Sequence, residues 1–175
     1  MHSTCIWEPG SWNEQPSWVD HLCLRSLYLT VAHGETDRFE RLLDKLALPA
    51  AVRIEVVLKQ SPAVQIPHTL FVRFLSQCKT LKELVVQGFK VTYEQLFEYP
   101  LVVPSITRLE GTVEQEIVMP NFETAMNQTF AQCAQLTEVQ ILGFDDDILV
   151  EYYATRTESN GISLTVTHIT PGCIF

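Results

Sequence analysis

The chain has 175 residues and a mass of 19.9 kDa, which is enough for one domain with a substantial core and too little for two average ones. Its 46% hydrophobic and 19% charged residues exclude a disordered tail, because such a composition can bury enough apolar surface to fold. A formal net charge of −9, with the lysines and arginines scattered, argues against nucleic acid and anionic membranes as partners.

The sequence also predicts the compartment. No apolar run approaches the roughly 18 residues needed to span a bilayer, and the N-terminal residues lack the charged and apolar regions of a signal peptide. Five cysteines, an odd number without a Cys-x-x-Cys pair, fit unpaired thiols in a reducing environment. We therefore expect a soluble intracellular protein of the cytoplasm or nucleus, without contact to membranes.

We predict a single domain over residues 1–175, divided into three parts. Residues 1–20 contain all three tryptophans and two prolines, which is typical of an N-terminal cap or the stub of a preceding module. Residues 21–169 contain a repeated pattern, and residues 170–175 form a C-terminal tail that we expect to close over the last strand.

The repeat is clearest between Cys78–Phe89 and Cys133–Phe144, which share Cys, Leu, Glu, Gly and Phe at matching positions. Weaker copies lie between and around these two. The central apolar residues of the copies are Leu27, Ile54, Leu84, Leu109, Val139 and Leu164. Successive copies are roughly 25–30 residues apart, which is typical of leucine-rich repeats.

Each copy has the form L-x-x-L-x-L, which is typical of a short strand. Alternate residues of a strand point to opposite faces, so Leu84 and Val86 point inward, while Leu81 enters the core from the preceding turn. One repeat cannot bury these side chains alone. Stacked repeats can, and their strands then form a parallel sheet.

Between the strands the apolar spacing becomes helical, with a start signal each time. The predicted helix starts are Asp37 and Thr92 (each with Glu or Gln three residues later), Pro67, Asn121 and the run Asp145–Asp147. The predicted fold is therefore α/β, a short leucine-rich-repeat solenoid with about six parallel strands on its concave side and about five helices on its convex side.

A doubly wound nucleotide-binding fold also alternates strands and helices. It requires a glycine-rich loop after an early strand, whereas His33–Glu35 contains a single glycine. A generic parallel α/β sheet without a nucleotide site remains open.

Cys78–Phe89, its copy at Cys133–Phe144 and the segment Val103–Leu109 resemble the cysteine-containing leucine-rich repeats of F-box proteins, especially the fungal ones. The resemblance spans roughly Leu24 to Val166. It implies a substrate receptor, in which F-box helices hold a cullin-ligase adaptor and the repeats hold the target. No F-box is found ahead of Leu24.

In a repeat solenoid the outward strand residues line the concave surface, where solenoids bind partners. The candidate partner-binding residues are Tyr28, Thr30, Arg53, Glu55, Glu83, Val85, Gln87, Arg108, Glu110, Glu138, Gln140 and Thr165. The other interpretation is an ordinary solvated sheet face with cross-strand pairs, such as Arg108 with Glu83 or Glu138.

Other candidate sites have simpler explanations. Asp145–Asp147 suit the positive end of a helix dipole better than a metal, because no spaced oxygen ligands follow. Cys78 and Cys133 lie where small buried residues are needed. His2, Cys5, His21 and Cys23 lack the clear spacing of a zinc site.

His33, His68 and His168 are isolated from any nucleophile motif. We therefore predict no catalytic residue, no metal site and no cofactor. The expected function is a protein-protein interaction module with a partner of unknown identity. The alternative is an α/β enzyme or small-ligand-binding domain with a site built from loops.

Overall fold

A computed structural model describes residues 4–7, 24–32, 36–59, 65–145, 148–159 and 161–169 of the chain. They form an α/β fold with an open sheet and a layer of helices. The strands are β1 (Thr4–Trp7), β2 (Ser26–Ala32), β3 (Arg53–Lys59), β4 (Glu83–Gln87), β5 (Arg108–Glu116), β6 (Glu138–Asp145), β7 (Ile148–Arg156) and β8 (Ile162–His168). The helices are α1 (Thr36–Lys45), α2 (His68–Leu75), α3 (Tyr93–Val102) and α4 (Met119–Gln132).

The strands lie side by side in sequence order, β1 to β8. Pairing is parallel from β1 to β6 and antiparallel from β6 to β8. The predicted neighbours around Leu27, Ile54, Leu84, Leu109 and Val139 pair directly in register, which confirms the parallel order of five predicted strands. The sixth predicted strand, around Leu164, is present as β8. We expected it beside the strand around Val139, and this is wrong because β7 lies between β6 and β8.

The core lies between one face of the sheet and the helices. Leu27, Ile54, Leu84, Leu109 and Val139 form a continuous inward row, and none exceeds 2% exposure. The aromatic side chains that the helices contribute to this core include Phe39, Phe71, Phe97 and Phe122. Neighbouring helices contact each other in sequence order, so the four form one layer on this face.

The same turn recurs before the strands. The carbonyls of Leu48, Cys78, Val103 and Cys133 each accept a hydrogen bond from the amide three residues later, at 3.0–3.2 Å. The carbonyls of Arg25, Val52, Lys82 and Thr107 each accept two amides from the following strand's entry, at 2.7–3.1 Å. Each of these last four acceptors lies two residues before a central apolar residue of the repeat. The same pattern of main-chain hydrogen bonds therefore recurs with each copy of the sequence repeat.

The helix start signals had mixed outcomes. Thr92 caps α3 with the predicted capping box, in which its hydroxyl accepts from Gln95 N and the Gln95 side chain accepts from Thr92 N. Pro67 directly precedes α2, as predicted. Asp37 lies inside the first turn of α1, and α4 begins at Met119, ahead of Asn121, so neither residue is the N-cap we expected.

The predicted fifth helix is wrong, because its residues form β7. Val150, Tyr152 and Ala154 are buried and alternate with less buried residues, which is the two-residue period of a strand. Asp145 ends β6 and pairs with Ile148, so it belongs to a β-hairpin rather than to a helix start. Residues 146–147 lie outside the described part of the chain, as do residues 1–3 and 8–20 of the predicted N-terminal cap and residues 170–175 of the tail.

Gly88 and Gly143 occupy equivalent repeat positions for different physical reasons. Gly88 follows β4 with φ of +77°, and an added Cβ would lie 2.5 Å from the main-chain oxygen of Leu58. At Gly143 the backbone is ordinary, but an added Cβ would lie 2.6 Å from Cδ1 of Ile117. The first glycine is required by the backbone and the second by core packing.

We expect Gly88→Ala to lower the free energy of unfolding by about 2–4 kcal/mol, because the left-handed conformation and the contact with Leu58 both oppose a side chain. Gly161→Ala is the matched control, since its nearest neighbours are the hydroxyls of Thr157 and Ser159. It should change the free energy by less than about 1 kcal/mol. Urea unfolding followed by circular dichroism measures both, and equal effects would contradict the backbone argument.

Arg156 of β7 binds main-chain oxygens at the end of α4 and in the turn before β6. Its guanidinium donates to the main-chain oxygens of Phe130 (2.6 Å), Cys133 (3.0 Å) and Leu136 (3.1 Å), and it lies 5.5 Å from the Phe130 ring centre. These carbonyls belong to the C-terminus of α4 and the turn after it. A cation there complements the negative end of the helix dipole.

Arg156→Met keeps most of the aliphatic stem and removes the charged donors, so we expect a loss of about 2–3 kcal/mol in unfolding free energy. Arg73→Met removes an exposed ion pair with Asp44 and should cost less than about 1 kcal/mol. Thermal and urea unfolding of the two variants compare the sites. Similar losses would show that Arg156 acts as an ordinary surface charge.

Candidate functional site

The candidate site is the sheet face opposite the helices. Its side chains form three rows across the strands, and we call this surface the open face. The first row is Ser26, Arg53, Glu83, Arg108, Glu138, Thr155 and Ser163. The second is Tyr28, Glu55, Val85, Glu110, Gln140, Tyr153 and Thr165. Thr30, Val57 and Gln87 form part of the third, with Thr112, Leu142, Glu151 and Thr167 further along. All twelve predicted residues lie in these rows.

Arg53 organises one end of the open face. Its guanidinium pairs with Glu83 on the next strand and with Glu55 Oε2 at 3.0 Å on its own strand. It also lies 5.8 Å from the centre of the Tyr28 ring, within the range of a cation–π contact. The hydrogen bond to Glu55 raises the pKa of Arg53, burial opposes this rise, and Glu83 raises the pKa further. The guanidinium is therefore protonated and positively charged.

Arg108 organises the middle of the open face. Its guanidinium lies 3.2 Å from both Glu110 Oε2 and Glu138 Oε1, and it donates to Gln140 Oε1 at 3.3 Å. The predicted pair with Glu138 is therefore present. Glu83 pairs with Arg53 instead. Arginine and glutamate thus alternate along four adjacent strands of the first row.

Two amides extend this network. Gln87 donates to Glu110 Oε1 at 2.7 Å, and Gln140 donates to Glu151 Oε1 at 2.6 Å. The network contains five glutamates and only two arginines, so the surface is acidic overall. Each half-exposed pair contributes little stability by itself, but shared partners restrict the rotamers of every side chain. The result is a preorganised polar surface.

Two residues at the sides of this network differ from expectation. Val85 lies in the second row but is only 3% exposed, so it supports the face without offering contact area to a partner. Tyr153 of β7 is 37% exposed on the same row and was missed, because the residues of β7 were assigned to a helix. The alternation of Val150, Tyr152 and Ala154 was the signal that could have found it.

Cys78 and Cys133 are free and buried at equivalent turns, as predicted. Cys78 Sγ lies 3.6 Å from the Phe74 main-chain oxygen, to which it donates. Burial raises the pKa of Cys78 to about 12, with a small opposing effect of Lys79, and burial also raises the pKa of Cys133 against the opposing charge of Arg156. Both thiols therefore behave as small core residues rather than as nucleophiles.

We expect Cys78 in the folded protein to resist iodoacetamide at pH 8, because a buried thiol with a pKa of about 12 has almost no thiolate. In about 6 M guanidinium chloride the same cysteine should react at the rate of a free thiol. Mass spectrometry of peptides after timed labelling measures both rates. Rapid labelling without denaturant would contradict a structural role.

A second feature is a surface depression of about 510 Å³ beside the start of α2. It is lined by Glu40 and by Gln65–Leu70, a mixture of polar and apolar groups. His68 Nε2 lies 2.8 Å from Glu98 Oε2, and its Nδ1 lies 3.5 Å from the Tyr99 hydroxyl. The histidine therefore links α2 to α3 and has no nucleophile beside it among these contacts.

Within the part of the chain that the structure describes, no group of three or more His, Cys, Asp or Glu side chains could hold a metal ion. None of the described helices combines the length and the apolar character needed to cross a bilayer. No family model, no curated protein and no solved structure matches the sequence or the fold significantly.

Proposed function

We propose that the chain is a protein-protein interaction module that binds its partner on the open face. The observation that carries this proposal is the one-sided helix layer. Parallel sheets are usually covered on both faces, whereas the described helices cover only one here. The face that no described helix covers carries an ordered network of arginine, glutamate and glutamine beside a few apolar residues, so it is suited to contact with water.

The recurring turn and the regular interval between the repeats support a leucine-rich-repeat solenoid, in which this face is the concave side. The resemblance of the cysteine-containing repeats to those of F-box proteins gives the proposal a finer form. In that form the chain is the substrate-recognition part of a ubiquitin-ligase receptor, and a cullin-ligase adaptor belongs to the same assembly.

The charge of the open face suggests what kind of partner it takes. Glu55, Glu83, Glu110, Glu138 and Glu151 outnumber Arg53 and Arg108 on this surface, and the chain as a whole carries −9. The negative charge of the open face would attract a partner segment with lysine or arginine side chains and so increase its association rate. Tyr28 and Tyr153 supply aromatic contact area beside the acidic residues.

An α/β enzyme or small-ligand-binding domain is the alternative, and the depression beside α2 is the place it would use. Binding sites of that class are concave, largely apolar and built around a few convergent polar groups. The depression instead mixes polar and apolar groups, and its histidine is engaged by Glu98 and Tyr99. The open face therefore supports the interaction module better.

The test replaces side chains of the open face that lie outside the hydrogen-bonded network. Val57→Arg adds bulk and positive charge to the surface, and Tyr153→Arg replaces an exposed aromatic ring by a positive charge. Neither variant removes a member of the arginine–glutamate pairs. Captured proteins are quantified by mass spectrometry after crosslinking in extracts. We expect at least about a tenfold loss of the specific partner, equivalent to about 1.4 kcal/mol of binding free energy.

Leu101→Arg is the matched control, because Leu101 is 44% exposed on α3, in the helix layer. It should retain the partner, and all three variants should melt within a few degrees of the unmodified protein. Recovery of a cullin-ligase adaptor alongside the partner would support the ligase form. Partner capture that is unchanged by both open-face variants would refute binding at this face.

A further inference from the structure

The last described strand of the sheet has an edge that pairs with no other part of the chain that the structure describes. β8 is seven residues long and ends the strand order, so its outer side pairs with no other described strand. Natural edge strands usually carry lysine, proline or a bulge that blocks pairing with another chain. β8 has the sequence Ile-Ser-Leu-Thr-Val-Thr-His, which contains none of these residues and no acidic residue, and its pairing with β7 is regular.

The register of the hairpin identifies which main-chain groups of β8 point outward. Ile169 N donates to Leu149 O at 2.8 Å, so Ile169 faces β7. Hydrogen bonding alternates along an antiparallel strand, hence Ser163, Thr165 and Thr167 also face β7. The outward-pointing main-chain groups are those of Ile162, Leu164, Val166 and His168.

The same strand presents apolar side chains next to that edge. Ile162 and Leu164 are only partly buried, and Val166 is 40% exposed. They lie beside the buried Tyr152 and Ala154 of β7, on the side where the helices pack. No described helix follows α4 in the chain to cover them.

We propose that β8 pairs antiparallel with β8 of a second copy of this chain, about a two-fold axis through Thr165. Leu164 then lies opposite the partner's Val166, and Ile162 opposite the partner's His168. Each of these pairs joins two residues whose main-chain groups point outward, so each exchanges two hydrogen bonds. The strand is therefore complementary to itself in this register.

Side chains also match across this junction. Leu164 and Val166 of the two copies extend the apolar side of the sheet, while Ser163, Thr165 and Thr167 meet hydroxyl side chains on the opposite side. Cross-strand pairs of this kind stabilise antiparallel sheets. The interface is isologous, as expected for a closed dimer.

β8 contains no lysine, arginine, aspartate or glutamate, so an uncharged strand such as a second copy of β8 matches this edge better than a charged strand does. The chain carries −9, and copies of it repel each other over most of their surface. β8 offers a neutral stretch at which they can approach. In the proposed register the row of Glu151 continues through Thr167 to the partner's Ser163 and the partner's Thr155, so the two Glu151 carboxylates do not face each other.

The dimer would place both open faces on the same side of one continuous sheet, because the two-fold axis is perpendicular to the sheet. This inference does not depend on the proposed function. Dimerisation and partner capture are measured separately, so either can fail without the other.

Sedimentation equilibrium over about 1–200 µM, in the presence of a reductant, tests the proposal on the full chain. We expect a mass of twice 19.9 kDa at the upper concentrations. Val166→Pro removes an outward amide without breaking the hairpin, and Val166→Lys introduces a charge next to the partner's Leu164. Each should weaken dimerisation at least about tenfold and keep the far-ultraviolet circular dichroism spectrum.

Leu101→Lys is the control, since it makes the same kind of change at an exposed apolar residue of α3 and should leave the dimer intact. A monomer at every concentration would overturn the proposal. So would a dimer that survives both Val166 variants, because its interface would lie elsewhere. A ladder of larger species would also overturn it, since it would indicate head-to-tail pairing of β8 with β1.

Discussion

The whole structure depends on one row of aliphatic side chains buried by their neighbours. Leu27, Ile54, Leu84, Leu109 and Val139 lie in register on consecutive parallel strands, and none of them could be buried by its own repeat. Each strand gains its burial only when the strands on both sides are in place. Stability is therefore shared between neighbours along the sheet, and the two ends need separate solutions.

The inward row also fixes the open face, because residues on either side of each inward position point outward in the same register. Neighbouring strands are roughly 4.8 Å apart, so an arginine on one strand reaches a glutamate on the next. Arg53, Glu83, Arg108 and Glu138 alternate in this way. The packing of the core thereby decides which charges meet on the other surface, and it presents them as one ordered network.

The change from parallel to antiparallel pairing after β6 closes one end. β7 follows β6 directly, without an intervening helix, and pairs antiparallel with it. As a result, Arg156 reaches the carbonyls at the end of α4, and Glu151 and Tyr153 lie on the open face. Among the described residues, the same change leaves the apolar side of β8 only partly buried and the main-chain groups at its outer edge without a strand partner. In the described part of the chain, this end of the fold thus has a capped last helix and a last strand whose outer edge is unpaired.

Much of this arrangement could be read from the sequence. The spacing of the repeats predicted the parallel order of β2 to β6, their inward and outward faces, and the burial of Cys78 and Cys133, because those features follow from local alternation and repetition. Thr92 and Gln95 marked the start of α3 because a capping box is a local interaction. The outward rows were also predictable, although the burial of Val85 was not, because alternation along one strand does not show how much of an outward side chain its neighbours cover.

Other features were decided only in the folded chain. Asp145–Tyr153 has both a helix-like start and a strand-like alternation, and the sheet edge left open by β6 selects the strand because main-chain groups there need partners. Which carboxylate each arginine takes was also decided there, because Glu83 lies in register between Arg53 and Arg108. It pairs with Arg53, while Arg108 pairs with Glu110 and Glu138. The sequence by itself determined the repeated unit and its two faces, because these follow from local periodicity. The tertiary structure alone decided how the repeats end and which charges meet, because those outcomes depend on contacts between segments far apart in the chain.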